Sequence, residues 1–240
     1  DLSWVEWVDV KGDGSWLNPA SQARIAENQK VAKEKGLTGD ALRNAGRGPA
    51  YENEDVPDNA YQDGKVAEAG LAALGRLKDK PFFLAVGYLK PHLPFISPKR
   101  YWDLYDHTEI KTASFTQPPE NAPEYATTTW GEMRSYLDIP QSGPVSEELA
   151  RNLIHAYYAC VSYTDANIGK LLDELDRLGL AENTIVVLWG DHGWHLGDHG
   201  QWCKHTNFEQ ATRAPLLFRY PGMAHAGHKS EALTEFVDIY

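Results

Sequence analysis

"NTIVVLWGDHGWHLGDHG", residues 183–200, is the stretch on which the fold of this chain turns. Its first half is a short apolar run rich in β-branched residues, the composition of a buried strand. Its second half sets three histidines and two aspartates among glycines, immediately after that strand. Two other runs share the apolar character: "PFFLAVGY" at 81–88, bounded by Pro81 and Lys90-Pro91, and "PLLFRYPG" at 215–222. The first of these reads as a buried strand of a largely parallel sheet.

Helical patterns lie between the runs. Gln22 to Lys35 is expected to be a helix that stops at Gly36. Another is expected from Asp63 to Leu77, with Ala67, Leu71 and Leu74 on one face. Ser146 offers an N-cap with Glu147 and Glu148 in the first turn, where the helix dipole favours acids. Leu149, Leu153, Tyr157, Val161, Ile168, Leu172 and Leu175 follow at helical spacing, and Gly179 supplies the stop. Alternation of this kind predicts an α/β fold, with helices covering both faces of a sheet. Residues 1–56 show weak periodicity, and 106–145 is a long proline-bearing irregular stretch of the sort that often forms binding loops.

The net charge of −11 over 240 residues argues against a partner such as nucleic acid, because the field of the whole protein repels polyanions. A small anion held by a local cluster of cations is compatible with it. No run approaches the roughly 18 apolar residues of a membrane span. The chain starts at Asp1 instead of methionine, so a processed or excised product is expected, with any targeting signal upstream. The two cysteines, Cys160 and Cys203, have no metal-type spacing, and Cys160 is expected in the core.

Ligands of open α/β sheets bind beyond the carboxyl ends of the strands. Two such ends are chemically loaded here, "GYLKPHLPF" after the first run and "GDHGWHLGDHG" after the second. Asp191 and His192 read either as a metal half-site or as a turn cap beside an ordinary histidine. Lys90 and His92 lie in a proline-braced segment, and a histidine held there can protonate a leaving oxygen near neutral pH. Lys204 offers a compact cation for an oxyanion, or a solvated side chain. Trp194 and Trp202 either pack the loop or stack on a sugar ring. His195, Asp198, His199 and His205 either orient their neighbours or knit the loop together.

"VGYLKPHLPF" followed by "DHGWHLGDHGQWCKH" resembles the type I sulfatases of the alkaline-phosphatase superfamily, and within them the iduronate-2-sulfatase group. "YYACVSYTDANIGKLLDEL" and "TRAPLLFRYPG" extend the likeness from about Asp55 to Tyr240. The resemblance implies an alkaline-phosphatase-like sheet. It implies a calcium ion bound by Asp191 and His192, a leaving-group contact from His92 and a sulfate contact from Lys204. It places Trp194, Leu196 and His199 at the border of a uronate pocket.

Such sulfatases carry a Cys-x-Pro-x-Arg motif whose cysteine becomes the formylglycine nucleophile, and neither Cys160 nor Cys203 stands in one. The expectation is therefore the central and C-terminal part of a catalytic domain over 1–240. The formylglycine portion, its paired aspartates and a C-terminal subdomain would lie elsewhere, the first as a second polypeptide. The implied function is hydrolysis of a sulfated saccharide, a 2-O-sulfated uronic acid of glycosaminoglycans in particular, outside the cytoplasm. A phosphonate or phosphodiester hydrolase and a non-catalytic, saccharide-binding remnant are the competing readings. The isolated chain is expected to be inactive.

Overall fold

Asn18 begins the first helix by accepting hydrogen bonds on its side chain from the Ala20 and Ser21 amides, ahead of Pro19 at the first helical position. The computed structural model describes residues 6–10 and 16–239. The rest of the weakly patterned 1–56 region, at 1–5 and 11–15, and Tyr240 lie outside the described residues. Helix α1 (Pro19–Glu34) ends where Gly36 takes a positive φ, as its sequence predicts, and α2 (Gly39–Ala45) follows. Next come β1 (Tyr51–Glu52) and α3 (Gln62–Leu77). After them the chain forms β2 (Phe95–Ile96), α4 (Lys99–Trp102), α5 (Gly131–Arg134) and α6 (Glu147–Arg177). It closes with β3 (Val186–Trp189), α7 (Glu209–Thr212) and β4 (Leu216–Arg219). Among the described residues no helix is long and apolar enough to cross a membrane.

The class is mixed α/β, with an incomplete sheet. Among the described residues the named strands form two ladders, β1 with β2 in parallel and β3 with β4 antiparallel. The expected strand at 81–88 is a correction: the segment takes no regular secondary structure and joins no ladder among the described residues. An extended chain becomes a strand only when a neighbour supplies its hydrogen bonds. Its side chains still alternate as in a strand, with Phe82, Leu84, Val86 and Tyr88 half-buried and Phe83 at 79% exposure on the opposite side. The strand at 183–190 is also less buried than expected, since Ile185 and Trp189 are largely exposed.

Helix α6 is the spine of the molecule. Ser146 caps it by accepting from the Leu149 amide at 3.2 Å, and Gly179 closes it with a positive φ. There the Gly179 and Leu180 amides donate to the Asp176 and Leu175 carbonyls, a Schellman motif. Its buried face runs through Leu153, Ala156, Ala159, Cys160, Tyr163 and Asn167. Val161, expected on that face, is 44% exposed. The core follows the small residues Ala156, Ala159 and Cys160, which let neighbouring elements approach closely, so the seam departs from the branched side chains. Around it pack Leu93, Phe95, Trp130, Met133, Trp194 and Trp202. Each fully buried apolar side chain of this size stabilises by roughly 1.5–3 kcal/mol.

Residues 106–145 hold only short turns and α5, yet Ile110, Trp130, Met133, Tyr136 and Ile139 are buried in the core. This irregular stretch is tied down by its apolar side chains. Cys160, fully buried, is the core residue that its sequence suggests, and burial pushes its thiol up to about 12.

The junction of α3 with α6 positions the loop that carries His92. Tyr163 Oη accepts from the Gly64 amide at 2.7 Å and donates to the Asp58 carbonyl at 2.8 Å. Asp63, one residue away, accepts from the Leu89 and Lys90 amides at 3.0 and 2.8 Å. Burial pushes the Asp63 carboxyl above its ordinary range, opposed by those two amides and by the Lys90 charge. Lys90 Nζ donates back to the carbonyls of His92 and Pro94, at 3.0 and 2.6 Å.

Two outcomes are expected from this junction. A Cβ at Gly64 would stand 2.1 Å from the Asp58 carbonyl oxygen, so Gly64→Ala is expected to cost about 3 kcal/mol, read by urea denaturation. Asp63→Asn replaces one acceptor by an NH2 group facing an N–H. The Leu89 or Lys90 amide is then expected to exchange with deuterium about tenfold faster or more.

Candidate active site

Two histidines reach the site by the same local device. His92 Nδ1 lies 2.7 Å from the carbonyl oxygen of Leu93, and His192 Nδ1 lies 2.8 Å from that of Gly193. A carbonyl only accepts, so each Nδ1 carries the proton and each Nε2 is the atom presented outward.

His92 Nε2 meets Lys204 Nζ at 2.7 Å and Glu132 Oε1 at 3.2 Å. Lys204 Nζ in turn lies 3.3 Å from Glu132 Oε2 and 5.6 Å from the centre of the Trp194 ring. With a neutral imidazole the ammonium donates to Nε2; with a protonated one, Nε2 donates to Glu132. The hydrogen bond from His92, then the charges of Lys204 and His92, hold the Glu132 carboxyl at about 2 against the opposing effect of burial. Glu132 therefore stays ionised through the neutral range. Lys204 is 13% exposed and Glu132 23%, so the cluster is sheltered but reachable.

Asp191 Oδ2 and His192 Nε2 stand 3.5 Å apart, at the end of β3. An oxygen and a nitrogen converging on one point fit two ligands of a cation site, and the carboxylate, 83% exposed, has free lone pairs. Among the described residues no third histidine, cysteine or acid joins them. Gly193 is required by the turn that follows, because a Cβ there would stand 2.1 Å from the Gln210 carbonyl oxygen. Its amide donates to the Ala211 carbonyl at 2.7 Å and docks the loop on α7.

The structure thus brings His92, Lys204 and Trp194 together and pairs Asp191 with His192. Ring contacts extend from Trp194, which meets Phe95 edge-on at 5.9 Å, and Phe95 meets Tyr157 at 5.4 Å. Burial pushes the Tyr157 hydroxyl up to about 12, and the charges of Cys160 and Asp191 add to the shift. His199 stands apart from His92 in a ring stack, 4.6 Å from Phe208 and 5.0 Å from Phe115, at a φ of 56°. Leu196 packs on the core cluster, and Trp202 is part of it. Lys90 supports the loop from beneath, where burial lowers its ammonium from the ordinary range. Glu132 is the residue that sequence reasoning missed: it sits in the one-turn helix α5, inside the unpatterned 106–145 stretch.

Comparison with known proteins gives the family. The Sulfatase family profile matches residues 20–240. The chain is 40% identical over 176 residues to the iduronate 2-sulfatase of Mus musculus and 39% identical over 195 residues to that of Homo sapiens. Those matches cover 70% and 78% of this chain and 32% and 36% of the relatives, so the chain spans about a third of their length. The phosphonate monoester hydrolase of Silicibacter pomeroyi shares the fold at a TM-score of 0.58 and 21% identity, over 82% of this chain and 41% of that one. With a family match over nearly its whole length and such identity to curated sulfatases, this chain belongs to the sulfatase family of the alkaline phosphatase superfamily.

Proposed function

We propose that this chain carries the leaving-group side of a sulfatase site for a sulfated sugar, a 2-O-sulfated uronic acid in particular. The observation that carries the reading is the 2.7 Å approach of Lys204 Nζ to His92 Nε2, beside the Trp194 ring. In the reaction the S–O bond to the sugar breaks and the departing alkoxide takes a proton. His92 Nε2 is the donor, since its Nδ1–H is committed to the Leu93 carbonyl. Lys204 holds a sulfate oxygen through its ammonium, and the Trp194 face borders the sugar. His199 is assigned more loosely, to the outer wall of the uronate pocket. The likeness to the two iduronate 2-sulfatases supports the choice of sugar.

Asp191 and His192 would hold a calcium ion, which when bound supplies divalent charge to polarise the sulfate oxygens. The attack on sulfur belongs in this family to a formylglycine, for which the chain has no Cys-x-Pro-x-Arg motif. We assign that group and the remaining calcium ligands to a further sulfatase polypeptide that covers the exposed side of 81–89. Placement outside the cytoplasm follows from the family resemblance.

Calorimetric titration with a 2-O-sulfated uronate disaccharide and its desulfated counterpart tests the site. The sulfated form is expected to bind more tightly, and Lys204→Ala is expected to remove the difference; equal binding of both sugars would overturn the reading. The chain alone is expected to release no sulfate from an aryl sulfate or that disaccharide above background. Calcium titration of the metal-free chain is expected to show binding weaker than micromolar, because affinity follows ligand number and charge. Micromolar or tighter binding lost in Asp191→Ala would mean that the chain holds further ligands.

A further inference from the structure

We propose that Glu132 is a resident anion of this site: its carboxylate lies across the joined pair of His92 Nε2 and Lys204 Nζ, on the donors that the sulfate group takes, and sulfate binds by displacing it. This rests on the reading of His92 and Lys204 given under the proposed function. The two carboxylate oxygens are divided between the two donors, Oε1 facing His92 Nε2 at 3.2 Å and Oε2 facing Lys204 Nζ at 3.3 Å. Two oxygens on one sulfur would meet the same pair of donors in the same way.

Sharing is excluded at the imidazole. With Nδ1–H bound to the Leu93 carbonyl, the protonated imidazole of His92 has one further proton, on Nε2, and it points either to Glu132 or to the leaving oxygen. Lys204 has three protons and can serve both. A carboxylate that stayed in place would also repel the incoming sulfate across a partly sheltered site. Protonation does not release it near neutral pH, since its carboxyl is held at about 2.

The side chain is the part that moves. Met133, next in sequence, is fully buried, and Arg134 donates to the carbonyls of Thr129, Pro140 and Gly143. The backbone of α5 is therefore fixed, while Glu132 itself keeps 23% exposure and a route to solvent by rotation about its side-chain bonds. Its function is selective: an anion must offer more to His92 and Lys204 than the internal carboxylate already does.

The test is titration of inorganic sulfate into the full chain, followed by the side-chain NMR signals of His92 and Lys204. Glu132→Gln keeps the shape and removes the charge, and is expected to bind sulfate about tenfold more tightly. Glu132→Asp keeps the charge and is expected to stay within about threefold of the parent. Unchanged or weaker binding in Glu132→Gln, with binding still lost in Lys204→Ala, would overturn the displacement and leave the proposed function standing. Sulfate binding indifferent to Lys204→Ala, or none in either the parent or Glu132→Gln, would overturn both.

Discussion

A buried phenol anchors the turn that holds the His92 loop to the spine of this protein, beside the direct bond from Thr164 Oγ1 to the Lys90 carbonyl. Tyr163, buried in the middle of α6, takes the Gly64 amide and gives its own proton to the Asp58 carbonyl. The Asp58 carboxylate gathers Arg100, Tyr101 and Lys170 at the same junction. One residue along from Gly64, Asp63 grips the amides that lead into His92. The order runs from core helix to turn, from turn to loop, and from loop to imidazole. Each step is a buried or part-buried hydrogen bond, expensive to leave unmade in a medium of low dielectric. The precision of the site is inherited from the core.

Charge is arranged differently at the two halves of the site. Around His92 the imidazole, the ammonium and the carboxylate are sheltered and already paired. Around Asp191 the carboxylate is open to water and is paired with His192. A site that must hold a divalent ion needs oxygen donors with lone pairs to spare, and one that must release an anion needs donors that are never left empty.

The sequence was most legible where local chemistry is decisive. Asn18, Ser146, Gly36 and Gly179 mark helix ends through backbone groups they satisfy within a few residues, so they read directly from the chain. His92, Asp191 and His192 stood out as candidates because they follow apolar runs, and Lys204 because it lies in the loop beyond Asp191. The segment at 81–88 misled, because a strand is defined by its neighbour, and a sequence window holds only one side of that pair. The face of α6 shifted away from Val161 because close packing favours small residues, which carry little weight in a hydrophobic period. Glu132 was invisible for a third reason: its meaning comes from contacts to residues 40 and 72 positions away, with no periodic pattern around it.

The pairing of each Nδ1 with the carbonyl of the following residue has an evolutionary side. Because the acceptor belongs to the main chain, no replacement at position 93 can delete it, and neither imidazole depends on a distant carboxylate to set its tautomer. The protonation pattern of His92 and His192 is written within two dipeptides and travels with them. Drift in the surrounding loops can thus proceed while the two outward nitrogens keep their chemical identity.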